Sequence, residues 1–178
     1  MKLFCKSLLI AVVAVVALCF NACDNDDVIW DIAPVSLDFI IVDSDGNSLL
    51  DPAREDNVLN NDIYIVYQGK EYPIVDFTKD PQPLPLSRAY LASFYGLRAL
   101  PEAGEDWSPM SKRYLSFGEF DGAANQDITA ELVWPEENRR FTVRVEHKYK
   151  MKGNKPKITN KRYFDGKRID ASYFTIVK

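Results

Sequence analysis

After residue 23 the chain has no cysteine: its 178 residues contain only Cys5, Cys19 and Cys23. Disulfide bracing and thiolate metal clusters are therefore excluded from the rest of the chain, as is a Cys/His nucleophilic pair. Histidine is almost as scarce, with His147 alone, so no histidine metal centre is expected and no cofactor is implied. A Ser-His-Asp triad is formally open to His147, yet no GxSxG elbow is present. His147 lies in VRVEHKYK, an alternating, charge-flanked segment where a solvent-facing ring is expected. No apolar run reaches the roughly 20 residues that a membrane-spanning helix needs. Internal repeats and long low-complexity linkers are lacking too. Together these absences point to a non-catalytic chain with no bound metal.

What is present begins with Lys2 and Lys6, followed by SLLIAVVAVVALCF, an apolar stretch without formal charge. A basic n-region before a short apolar h-region is the layout of a secretory signal. Phe20, Asn21 and Ala22 before Cys23 resemble a bacterial lipobox, although Phe20 stands where Leu is usual and Asn21 where a small residue is usual. The resemblance implies that residues 1–22 are a lipoprotein signal peptide and that the Cys23 thiol takes the lipid. One acyl chain anchors weakly and two or more anchor firmly, so a triacylated Cys23 is expected to hold the protein to a membrane. Asp24, Asp26 and Asp27 follow at once. They resemble the surface-export signal of Bacteroidota lipoproteins, which implies an outer-membrane protein facing the cell exterior. Residues 23–33 read as its acidic tether.

Residues 34–178 read as one domain. VSLDFIIV (35–42) alternates Val35, Leu37, Phe39 and Ile41 with Ser36 and Asp38, the period-2 pattern of a half-buried strand. β-Branched and aromatic runs recur at DIYIVYQ, EYPIVDF, RYLSFGEF, DITAELVW, FTVRVEHKY and YFTIVK. Turn chemistry separates them at DSDGN, YQGKEY, EFDGAANQD, WPEENRR, KGNKP and FDGKR. The spacing predicts an all-β immunoglobulin-like antiparallel β-sandwich of about seven to nine strands. LSRAYLASFYGLRAL (86–100) reads as strand through Tyr90, Ala92 and Phe94 or as a helix capped by Ser87, and as a helix it would make the fold α+β.

VIWDIAPVSLDFIIVDSDGNSLLDP, YQGKEYPI, FYGLRAL, LSFGEFDG, LVWPEENRRFTV and RYFDGKRID with FTIVK resemble a group of small Bacteroidales surface lipoproteins of uncharacterised function. The likeness spans nearly the whole mature chain and rests on turns and strand anchors. It implies location and fold and brings no catalytic residue. Where that group usually has WPDG, this chain reads WPEEN.

DSDGNSLLD places Asp43, Asp45, Asn47 and Asp51 in one loop, the alternate oxygen ligands that Ca²⁺ takes. An EF-hand loop requires Gly and Glu where Ser48 and Arg54 stand, so a hairpin turn is the expectation. Trp30 and Trp134 are expected to seat strands in the core. Trp107, in the polar loop EAGEDWSPM, is the candidate exposed aromatic for stacking on a sugar ring.

Charge is ordered along the chain. Residues 24–138 hold 7 Lys+Arg against 23 Asp+Glu, and residues 139–178 hold 13 against 3. The basic end, with Lys155, Lys157 and Lys161 as its candidate contacts, has two readings. It could meet anionic partners such as acidic polysaccharide or lipopolysaccharide phosphates, but the expectation is that it neutralises acidic strands and guards a sheet edge. Nucleic acid is not an expected partner of an exported lipoprotein. The sequence thus implies a non-catalytic interaction or structural lipoprotein with a glycan or surface-protein partner, or alternatively a glycan-binding accessory of a polysaccharide-uptake system.

Overall fold

Strands form where apolar side chains alternate, because a pleated backbone sends successive residues to opposite faces. In the computed structural model, which describes residues 31–76, 96–102, 104 and 112–178, β1 (Val35–Val42) buries Val35, Leu37, Phe39 and Ile41 and leaves the residues between them half-buried. The other strands are β2 (Tyr64–Tyr67), β3 (Lys70–Asp76), β4 (Leu97–Pro101), β5 (Arg113–Phe120), β6 (Gln126–Trp134), β7 (Arg139–Lys152), β8 (Lys155–Phe164), β9 (Lys167–Ile169) and β10 (Phe174–Val177). One 3-10 turn, Pro135–Glu137, is the only helical element among the described residues. The fold is all-β. Its ten described strands exceed the seven to nine expected because β8 and β9 are too polar to read as strands. Of the stretch 86–100, Leu97–Pro101 is strand, and residues 86–95 lie outside the described residues.

The strands form one sheet in the order β10-β1-β5-β4-β3-β2-β6-β7-β8-β9. Its pairs are antiparallel except β1–β10 and β3–β4, which are parallel. The sheet wraps onto itself in a sandwich-like form, so that strands far apart in the order face each other across one core. Phe174 on β10 packs 5.4 Å from Phe39 and 6.2 Å from Phe164 on β8, and Phe164 stacks on Phe141 at 5.5 Å. Arg139 Nη1 donates to Val177 O at 2.7 Å, joining the start of β7 to β10. Burying each large apolar side chain of such a core contributes about 1.5–3 kcal/mol, which lets the domain stand without disulfides.

Turns follow the sequence. YQGKEY and FDGKR become two-residue loops in which Gln68–Gly69 and Asp165–Gly166 take positive φ, as tight hairpins require. WPEEN becomes the 3-10 turn, closed by Asn138 in the left-handed region with its N–H on Pro135 O. The side chains of this turn are used: Glu136 accepts from the Asp62 N–H at 2.7 Å, and Glu137 pairs with Lys178 at 3.2 Å. Trp134 is fully buried, as expected of a strand anchor.

Candidate interaction surface

β6 accompanies β7 only as far as Gln126 opposite His147. Beyond that point β7 and β8 continue as a two-stranded arm of five cross-strand pairs: Lys148–Thr159, Tyr149–Ile158, Lys150–Lys157, Met151–Pro156 and Lys152–Lys155. At the usual rise per residue the arm reaches roughly 17 Å past the sheet. A two-residue turn, Gly153–Asn154, closes it.

Directly opposed residues in an antiparallel pair share a face, so the arm has two unlike sides. One carries Lys148, Lys150, Lys152, Lys155 and Lys157 with Thr159. The other carries Tyr149, Met151, Pro156 and Ile158, in phase with Phe141, Val143 and Val145 of the core. It therefore extends the core face outward, where Met151 is 45% and Ile158 44% exposed. No acid occurs between Lys148 and Lys161, and among the described residues none of the five arm lysines has an ion pair.

The candidate lysines consequently divide. Lys161 lies opposite Glu146 and pairs with it at 3.9 Å, which is the neutralising role. Lower on the same sheet Arg144 grips Asp127 with two bonds of 2.8 Å and reaches Glu146 at 2.9 Å, while Arg140 pairs with Glu131. The Arg144 guanidinium holds the Asp127 carboxyl below the usual carboxylate range. Lys155 and Lys157 instead lie opposite Lys152 and Lys150. Like charges directly opposed are unfavourable in the free protein, and among the described residues the tip lysines neutralise no acid.

His147 departs from the sequence expectation. It is 2% exposed rather than solvent-facing, because it continues the buried phase of Val143 and Val145. Its Nε2 lies 2.8 Å from Gly122 O and its Nδ1 2.6 Å from Asn160 Oδ1. Nε2–H donates to the carbonyl, and the Asn160 amide can turn either end to Nδ1. Neither nitrogen faces a hydroxyl or a carboxylate, so no triad is assembled around the ring. The phase of the flanking valines is the signal that would have placed it inside.

The same turn holds the start of the domain. A Cβ on Gly122 would overlap the Ala33 carbonyl oxygen and come within 3.0 Å of Ile32 Cγ2. Asn125 Oδ1 accepts from the Tyr149 N–H at 2.8 Å. The entry of the chain at Ile32–Ala33 and the root of the arm are thus bound to one β5–β6 turn. A shallow concavity of about 560 Å³ at that root is lined by Asn125, Gln126, Asp127, Arg144, Glu146 and Lys148. Its arginine and acids are already paired with one another.

In DSDGNSLLD the Asp43 carboxylate accepts the N–H groups of Asp45 and Asn47 and the Asn47 amide, and pairs with Arg54 at 3.0 Å. Hydrogen bonds from Asn47 lead the causes that lower its pKa to about 2. Its oxygens serve the turn. Cys23, Asp24, Asp26, Asp27, Trp30 and Trp107 lie outside the described residues. No family model, curated protein or solved structure matches the chain.

Proposed function

We propose that this protein is a non-catalytic interaction lipoprotein, held in the outer membrane by a lipid on Cys23, carried to the cell exterior by the Asp24, Asp26 and Asp27 signal, and presenting the β7–β8 arm to an anionic partner. The observation that carries the reading is the pair of lysine–lysine rungs, Lys150–Lys157 and Lys152–Lys155, with no acid in the sequence between Lys148 and Lys161 and no ion pair to these lysines among the described residues. A fold gains no stability from such rungs, whereas an anionic surface gains a dense cationic strip. The glycan-accessory reading has less support, since Tyr173, at 36%, is the one aromatic among the exposed large apolar side chains of the described residues.

The test has two arms. Palmitate labelling and membrane retention should disappear in Cys23→Ala and survive in Cys23-intact protein. Binding to a heparin-like polyanion should be measurable at low salt and fall steeply as screening shortens to about 8 Å at physiological ionic strength. Replacing the five arm lysines by Gln should remove it. Labelling that persists without Cys23 would refute the anchor, and absence of low-salt binding would refute the arm.

A further inference from the structure

Resting on that reading, we infer that the partner of the arm is the anionic bilayer in which the chain's own lipid sits, and that the arm lies on that surface with its apolar side toward the acyl region. The lysine strip alone would suit any polyanion in solution. The other side of the arm would not: Tyr149, Met151, Pro156 and Ile158 extend the core face into solvent, and a polysaccharide gives them nothing to bury against. A lipid–water interface takes both. Apolar residues sink to the headgroup boundary, tyrosine sits at that level, and lysine stems bend to bring their ammonium groups to the phosphates.

Position supports the same partner. The chain enters the domain at Ile32–Ala33, against Gly122, on the turn that also fixes Tyr149 at the arm's root. Ten residue steps lead from Cys23 to Ala33. At about 3.3–3.6 Å per residue they span at most roughly 35 Å. A lipid on Cys23 therefore keeps the arm-bearing end within reach of the membrane, and anchoring raises the effective concentration of arm at the surface. Each lysine brought to an anionic bilayer adds roughly fivefold to partitioning. A domain so held by two points is restrained in tilt, where the tether alone would leave it free to swivel.

The absence of cysteine beyond Cys23 allows a direct test. The full lipidated chain carrying Met151→Cys, labelled with an environment-sensitive fluorophore, is reconstituted into phosphatidylcholine vesicles with or without about a third phosphatidylglycerol. The label should shift to shorter wavelength and be quenched by brominated lipid in the anionic vesicles, and stay water-exposed in the neutral ones. A label at Thr142→Cys, on the outer face of β7, should stay water-exposed in both. Changing the five arm lysines to Gln should abolish the shift at 151 while co-flotation with vesicles persists and the melting temperature does not fall, since two like-charge rungs are relieved. Protein that floats but shows no shift in anionic vesicles overturns this inference alone. Protein that fails to float overturns the anchor and the inference with it. A label that responds to soluble acidic polysaccharide and not to vesicles assigns the arm to a glycan and overturns the membrane.

Discussion

The ring of Phe174 lies 6.2 Å from that of Phe164, although β10 is the first strand of the sheet order and β8 the ninth. This contact joins the two ends of the wrapped sheet, with Phe39 and Phe141 completing the stack. Phe174→Ala should therefore cost about 3–5 kcal/mol, as for other large-to-small changes in a core. Phe174→Leu should cost well under half of that. Urea denaturation of the two variants checks the order, and equal losses would mean that the ring stack does not close the sandwich.

His147 and Gly122 make a second, polar closure. His147→Ala leaves the Gly122 carbonyl without its donor and should cost at least about 1–3 kcal/mol. Gly122→Ala should destabilise by forcing Ala33 aside. Both changes should speed amide hydrogen exchange in residues 121–125 while leaving β1–β10 pairing protected.

Two lysines on the same face of the β7–β8 hairpin, four rungs apart, should respond oppositely to the same substitution. Lys161→Glu opposes Glu146 and should lose a few tenths to about 1 kcal/mol, whereas Lys150→Glu removes a like-charge rung with Lys157 and should gain a similar small amount. Chemical denaturation at low ionic strength resolves the sign. Losses at both positions would mean that the arm lysines have acidic partners.

Acid should weaken the DSDGN turn. The folded pKa of Asp43, about 2, lies below its ordinary 3.8, so the unfolded chain binds the proton more readily. The stabilisation is fully present above the ordinary value and is lost as pH falls through the folded one. Between those limits the melting temperature should drop less in Asp43→Asn than in the parent, because the variant has no such carboxylate to protonate.

The sandwich strands were legible where a strand has one wet and one dry face. β1, β6 as far as Leu132 and the first part of β7 alternate between buried and wetter positions, and Trp134 is the core anchor its place at the strand end suggested. β8 was not legible. Its core-side positions run Phe164, Arg162, Asn160, Ile158 and Pro156, mixing apolar and polar as the strand leaves the core, so no hydrophobic period survives. The lysines at 155, 157 and 161 were visible as one basic cluster. Only register separates Lys161, opposite a glutamate, from the other two, opposite lysines, because cross-strand partners depend on where the hairpin turns. His147 was misjudged from its charged neighbours when the phase of Val143 and Val145 carried the better information.

Tension applied through the segment that enters at Ala33 would reach β1, the first strand after it. That strand is paired along its whole length, its first half to β5 from Val35 to Phe39 and its second half to β10 from Phe39 to Val42. Extracting it lengthwise must break two ladders together, in shear, whereas an edge strand would peel one bond at a time. The inlet of the domain would thus also be a mechanical clamp, with tension on the entering segment shared among many hydrogen bonds.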